Sequence, residues 1–418
     1  MLTLIKNISI IASGSFLVQI IAVLSLPLLT RIYDEVAFGM FSLYGSVVSV
    51  FMVGIALKFD STVLISRSSL ESRFLAQIAL VLSLFFGSAS LIAFILFQEA
   101  ISHLLNSEIL FPWFYFVPAS IVFGSWIQTF TFLNNRQSNF KAGAITKIAQ
   151  ITTQICAQLS ISSVLPTGGL VVGRLSGTVI SLFYLRHATT FKLSIPKYNH
   201  LKIYRKLIWK YRKYPTFGML GSFSDNLAIQ LPILCVTRNF SLSDLGFFAL
   251  AVKVLTLPSR LISVAVSTVL VNEVVKDFAD NPARLKRKLV RLLILNIIMY
   301  FPVFIIVFLY AEVIFEVVFG EGWARAGEIA EILVVSAYLK FVISPLSAIF
   351  AINQNLKTGV IWQIGYLITL AIALNYNSSI SLLEYAILYV CADVLMYILY
   401  FVVIYKTIKK QERVVCVG

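Results

Sequence analysis

Charge is what this sequence has least of. Only 13% of its 418 residues are Asp, Glu, Lys or Arg, while 59% are hydrophobic. A soluble globular domain carries about 25% charged residues, so water is excluded as the main solvent of the fold. A membrane-crossing helix needs roughly 20 apolar residues, and a chain of this length with short connections holds about a dozen of them. Little remains for a soluble domain. Cysteine is scarce too: Cys156, Cys235, Cys391 and Cys416 stand far apart, three of them in apolar runs. No Cys or His pair has metal-ligand spacing, so the cysteines are expected to act as small packing residues and no metal or other cofactor is expected. Long polar loops are also missing. The longest outer connections, near 98–111 and 312–324, hold no nucleophile–base constellation.

What is present is a series of apolar runs. Lys6 precedes an apolar run from Ile8 to Leu29, which exceeds a signal-peptide core of 7 to 15 residues and lacks a clear cleavage site. It is expected to stay as the first span. Span-length windows predict helices at 7–29, 38–64, 74–97, 112–133, 143–163, 168–188, 214–237, 245–271, 289–311, 325–351, 358–377 and 384–405. Counted over alternate connections, 25 of the 34 Lys and Arg fall on one side and three, Arg31, Arg238 and Arg325, on the other. Basic residues accumulate on the cytoplasmic side, so both termini are expected there. The net charge of +15 and the basic run Lys202, Arg205, Lys206, Lys210, Arg212 and Lys213 are explained by this asymmetry and by nearby anionic headgroups. Nucleic acid is not an expected partner; membrane lipids are.

An internal repeat organises the chain. Leu26-Pro27-Leu28-Leu29 recurs as Leu231-Pro232-Ile233-Leu234, each followed by an arginine and then by Phe38-Gly39 or Leu245-Gly246. Asn139-Phe140-Lys141-Ala142-Gly143 recurs as Asn355-Leu356-Lys357-Thr358-Gly359, and the offsets run from 205 to 216. Six spans per repeat is an even number, so the halves share one orientation about an axis along the membrane normal. The expected fold is an all-α integral membrane protein of about twelve transmembrane helices in two six-helix bundles related by a pseudo-twofold axis. The expected bundles are 1–188 and 214–405, with a basic linker at 189–213 and a cytoplasmic tail at 406–418. Facing bundles of this kind would enclose a central cleft.

Several segments resemble the polysaccharide flippases of the multidrug/oligosaccharidyl-lipid/polysaccharide exporter superfamily, the O-antigen and capsule transporters. In the first half these are Leu29-Thr30-Arg31-Ile32-Tyr33-Asp34, Phe38-Gly39-Met40-Phe41-Ser42-Leu43-Tyr44 and Lys58-Phe59-Asp60. In the second they are Tyr214-Pro215, Leu231-Pro232, Ala249-Leu250-Ala251, Lys253-Val254-Leu255, Leu257-Pro258, Phe319-Gly320-Glu321-Gly322-Trp323-Ala324 and Ser344-Pro345-Leu346. Lys58 and Lys253 stand where arginine is common in such proteins, which keeps charge but loses the bidentate fork. The resemblance implies alternating access, a bacterial inner-membrane location and an undecaprenyl-pyrophosphate-linked oligosaccharide as cargo. It also allows H+ or Na+ as coupling ion and a polysaccharide polymerase as partner.

Six basic residues fall inside predicted spans, Lys58, Lys147, Arg174, Lys253, Arg260 and Lys340, against the acidic Asp60, Asp225 and Asp393. A Lys or Arg at the bilayer centre costs about 3 kcal/mol on insertion scales, so such residues face a bundle interior or an aqueous cavity. Lys253 and Arg260, two helical turns apart with Pro258 between them, are the expected cationic strip, with snorkelling at a helix end as the alternative. Lys340, Lys58 and Arg174 are further cleft residues, a structural ion pair being the alternative for Lys340 and snorkelling an equal one for Arg174. Asp60, Asp393 and Asp225 are the candidate ion-coupling groups; a buried salt bridge is the alternative for Asp60 and Asp393. Lys147, near a helix end, is expected to snorkel. The Asn139 and Asn355 turns are expected to cap helices, and Trp323 to anchor at the interface. A drug/cation antiporter of the same superfamily calls for an acidic or aromatic cavity, and a glycan polymerase for a larger outer loop. A flippase for lipid-linked oligosaccharide fits better than either.

Overall fold

The structure, a computed structural model, describes residues 2–105, 111–190, 200–257, 282–346, 356–375 and 380–417. Among the described residues it contains helices and turns and no strand. In lipid the backbone must satisfy its own hydrogen bonds, and a helix does so within one segment.

In chain order the helices are α1 (Leu2–Thr30), α2 (Glu35–Gly54), α3 (Phe59–Ile65), α4 (Ser69–Leu96), α5 (Gln98–Leu105), α6 (Phe111–Phe114), α7 (Phe116–Arg136), α8 (Phe140–Ile161), α9 (Gly169–Ala188) and α10 (Leu201–Lys210). A π turn at Tyr214–Gly218 leads into α11 (Met219–Asn239), followed by α12 over 242–257. Then come α13 (Pro282–Phe319), a 3-10 turn at Glu321–Trp323, α14 (Ala324–Ile343), α15 (Leu356–Leu374) and α16 (Leu382–Val417).

Eight of these stretches are long and apolar enough to cross a membrane: Ser13–Thr30, Glu35–Gly54, Ser69–Leu96, Pro112–Arg136, Tyr214–Asn239, Arg287–Phe319, Glu321–Leu346 and Leu382–Thr407. Helices α8 and α9 lie in two of the four other predicted spans, and α12 and α15 cover the described parts of the remaining two, 245–257 and 358–375. The protein is an all-α, multi-pass membrane protein.

Polar residues at the chain's turns set where the helices start. Asp34 caps α2 by accepting from the Ala37 amide at 2.8 Å, and Ser68 caps α4 by accepting from the Glu71 amide at 3.1 Å. Asn139 caps α8 as expected, accepting from the Ala142 amide at 3.4 Å. At α16 the Ser381 and Glu384 side chains each accept from the other residue's amide, at 3.3 and 2.7 Å. Such reciprocal pairs satisfy donors that a helix start leaves open. Asn355 lies outside the described residues.

One predicted span is broken. The window 38–64 is filled by α2 and then α3, with turns over 55–58 in which Leu57 and Lys58 have positive φ, 48° and 60°. Hydropathy cannot register this interruption, because Ile55, Ala56 and Phe59 around it are apolar and buried.

The chain divides by packing into two units, Met1–Gly246 and Phe247–Gly418. In the first, α2 packs on α7 and α11, α4 on α7, and α8 on both α1 and α9. Helices α10 and α11 thus pack with the first unit. In the second, α14 packs on α13 and α16, and α15 packs on α16.

Glycine permits the tightest helix crossings, as is usual where lipid supplies no hydrophobic drive between helices. A Cβ on Gly173 would stand 2.4 Å from Gln158 Cγ, and one on Gly177 2.5 Å from the Gln150 carbonyl oxygen, so α8 and α9 meet backbone to backbone. Gly39 and Gly246, the glycines of the repeat marker, form a reciprocal contact within the first unit. A Cβ on the first would lie 2.1 Å from the Leu242 carbonyl oxygen, and one on the second 2.0 Å from that of Glu35.

Trp323 departs from expectation. It is 4% exposed and sits edge-on to Phe247, 5.8 Å between centroids, so it fills the second unit's core and is no interfacial anchor.

Candidate functional site

Each unit contains a cavity with a basic residue in its wall. In the first unit the cavity is about 270 Å³ and is lined by Val48, Ser49, Met52 and Val53 of α2, Lys58 of the break, Gln128 of α7, Arg174 of α9 and Asn226 of α11. Among the described residues, two cations, two amides and a hydroxyl line it, and no carboxylate does.

Arg174 reaches this space because residue 45 is glycine: a Cβ there would be 2.8 Å from the guanidinium Nη1. Its guanidinium carbon lies 5.9 and 6.0 Å from the ring centroids of Phe41 and Tyr44, within reach of a cation–π interaction. Tyr44 is held in turn, its hydroxyl donating to the Phe116 carbonyl at 3.2 Å and lying 2.5 Å from Ser120 Oγ. Asn226 Nδ2 donates to Ser49 Oγ at 3.1 Å, tying α11 to α2.

Lys58 reaches the same cavity from the helix break. A left-handed conformation costs a non-glycine residue on the order of 1–3 kcal/mol and persists only where surrounding structure enforces it. Here buried Ala56 and Phe59 flank the turn, and the Lys58 carbonyl accepts from Ser61 Oγ at 2.8 Å. Asp60, two residues on, turns into the packed interior: it is 5% exposed, and its Oδ1 has no hydrogen-bond partner among the described residues.

The second unit's cavity is smaller, about 70 Å³, lined by Val252, Leu255 and Thr256 of α12, Leu333, Ser336, Ala337 and Lys340 of α14, and Tyr389 of α16. Lys340 Nζ pairs with Asp393 Oδ2 at 2.5 Å and donates to the Tyr389 hydroxyl at 2.7 Å. Asp393 is 1% exposed; it also accepts from Ser336 Oγ and, at 2.6 Å, from the Tyr366 hydroxyl. The lysine lies 5.0 and 5.8 Å from the ring centroids of Tyr389 and Tyr397. One partner of the pair is sealed and the other opens onto a cavity.

The structure therefore brings Lys58 together with Arg174, and Lys340 with Asp393. Lys253 is half-buried on α12 but does not line the cavity that its neighbours Val252, Leu255 and Thr256 line. Arg260 and Pro258 lie outside the described residues. Asp225 is half-buried on α11, and its neighbour Asn226 is the one that lines the first cavity. Sequence reasoning followed formal charge and so passed over Ser49, Gln128, Asn226, Ser336, Tyr366 and Tyr389. Two signals were available. Amides inside apolar runs mark the first cavity, and four-residue spacing, which puts Ser336 with Lys340 and Tyr389 with Asp393 and Tyr397 on one helix face, marks the second.

Among the described residues no group of His, Cys, Asp and Glu could hold a metal ion. The profile of a family described as polysaccharide biosynthesis protein matches residues 28–328. No curated protein matches the chain in sequence. Solved structures share the fold. A lipid II flippase, MurJ, in an inward closed conformation is 16% identical with a TM-score of 0.74, over 94% of this chain and 87% of that one. A multidrug resistance transporter of the MATE family and MOP superfamily, in an inward-facing conformation, is 14% identical with a TM-score of 0.72, over 95% and 99%. A Pyrococcus furiosus transporter of the MOP superfamily, described by the reverse polarity of its binding pocket, is 14% identical with a TM-score of 0.66, over 97% and 96%.

Proposed function

The chain belongs to the polysaccharide biosynthesis protein family, and from that premise we propose that it is a flippase moving undecaprenyl-pyrophosphate-linked oligosaccharide from the cytoplasmic to the periplasmic leaflet of a bacterial inner membrane. O-antigen or a related surface polysaccharide is the product it serves. The observation that carries the reading is the first unit's cavity, where Lys58 and Arg174 stand without a lining carboxylate among the described residues. Two cations in a desolvated wall suit a pyrophosphate, since hydrogen bonds to ionised groups are the strong ones. A cationic drug would meet charge of its own sign. The proposed role is transport, for which the cavity offers anchoring groups in its wall.

Both termini are cytoplasmic in this reading, following the basic-residue asymmetry of the connections. The protein works by alternating access, and an anion moving outward through an inside-negative potential gains about 2.3 kcal/mol per charge per 100 mV. Asp393 is the favoured coupling group over Asp60 and Asp225, because its partner Lys340 also faces a cavity. An anion that draws Lys340 away leaves Asp393 to a proton or Na+. A polysaccharide polymerase is a partner at the receiving leaflet.

Deleting the protein tests the assignment: the lipid-linked oligosaccharide is expected to form normally and to accumulate on the cytoplasmic leaflet. Failure of the precursor itself to form would point to an enzyme instead.

A further inference from the structure

The segment before α11 forms the amphipathic helix α10, with a face that the protein does not cover. Tyr204 and Leu207 are buried, and Tyr211 follows them on the same side. Tyr204 donates to Gln77 Oε1 at 2.7 Å, its ring lies 5.3 Å from that of Phe74, and Lys210 pairs with Glu71. The Glu71 carboxylate holds the Lys210 ammonium above its ordinary value by accepting its hydrogen bond. Residues 204 and 210 thus match 77 and 71, so α10 runs antiparallel beside the first two turns of the membrane-spanning α4.

The opposite face carries Lys202, Arg205, Lys206 and Trp209, all exposed, with Trp209 67% exposed. Arg212 stacks on the Trp209 ring at 4.1 Å, and Leu201 and Ile208 flank this face. Basic residues interleaved with a tryptophan at the first turns of a span match the boundary between headgroups and acyl chains.

We propose that α10 is a membrane-surface helix that binds anionic phospholipid headgroups through Lys202, Arg205 and Lys206, with Trp209 seated among the acyl chains beneath them. The occupant follows from charge and depth together: three cations on one exposed face, beside a span entrance, meet headgroups of net negative charge in an anionic leaflet, whereas in a zwitterionic one each phosphate is offset by its own ammonium. Each basic residue close to an anionic surface strengthens binding roughly fivefold, so the face discriminates between lipids. Arg212 leads directly into the π turn at Tyr214–Gly218 and then α11, which carries Asn226 of the cavity. Lipid charge is thereby connected to the position of that helix.

The test reconstitutes the full chain in phosphatidylcholine vesicles containing spin-labelled phosphatidylglycerol or spin-labelled phosphatidylcholine. Trp209 emission is read as the difference between the wild type and Trp209→Phe. The expected result is several-fold stronger quenching by the anionic label, falling to parity in the triple variant Lys202→Glu, Arg205→Glu, Lys206→Glu. All three side chains are exposed, so the variant keeps the fold, verified by its elution and thermal unfolding. Equal quenching of the wild type by both labels, or a preference retained in the triple variant, overturns the proposal. Neither outcome bears on the cargo.

Discussion

Lys58 and Arg174 enter one cavity by different routes, and their variants should fail differently. Arg174 hangs from a regular helix, so Arg174→Lys keeps a charge there and partial export, whereas Arg174→Ala loses a charge-assisted contact. That loss should lower surface glycan per molecule of protein by roughly tenfold, the equivalent of about 1.4 kcal/mol. Lys58 adds a backbone demand. Lys58→Gly removes charge without opposing the positive φ and should leave membrane abundance intact while export falls. Lys58→Val adds a β-branched clash in the left-handed region and should lower abundance as well; immunoblots alongside surface glycan separate the two effects. Asp393 tests a buried pair. Asp393→Asn leaves Lys340 without its counter-charge and should destabilise the detergent-solubilised protein by about 3–5 kcal/mol, while an apolar replacement of both residues recovers much of the loss. Thermal unfolding checks this, and equal stability of Asp393→Asn and wild type would remove the pair from the account.

Among the elements, the start of α8 was legible and one interruption was not. Asn139 was readable as a cap because a short polar side chain before an apolar run has few other uses. The break between α2 and α3 was not: Gly54 closes α2, but a single glycine in an apolar run is common in membrane helices, and the residues with positive φ, Leu57 and Lys58, are neither glycine nor asparagine. Packing between helices is governed by residues too small to register in hydropathy. Gly177→Leu should push α9 off α8, and Gly246→Val should drive a side chain into the Glu35 carbonyl. Both should cut membrane abundance several-fold, whereas substitutions at Gly143, where an added Cβ meets nothing within 4 Å, should be silent. An unchanged level of Gly177→Leu would show that the α8–α9 crossing yields more easily than its geometry implies.

For the whole molecule, the sequence specified an all-α, multi-pass membrane protein because span length and hydropathy are dictated by the bilayer. It did not specify which charges share a cavity, because bringing Lys58 and Arg174 to one space depends on how α9 lies against α2 and on the room at Gly45. The same limit applied to Lys340 and Asp393, which sit on different helices. Orientation is testable by reporter fusions: 200–213, 282–288 and 406–417 should all report cytoplasmic. A single one of them outside would invert every connection after the mistaken span.

Residue 58 also narrows the mutational path by which such a carrier changes cargo. A lysine codon reaches Asn, Gln, Glu, Thr and Arg by single-base changes, along with Ile or Met. Of those that discard the positive charge, Asn is the one that tolerates a left-handed backbone well. Glu and Thr must first bear a conformational penalty in the same turn, before any new cargo is tried. A carrier that reads cargo charge at this break, as proposed above, should therefore move between anionic and neutral cargo by way of the Lys58→Asn substitution.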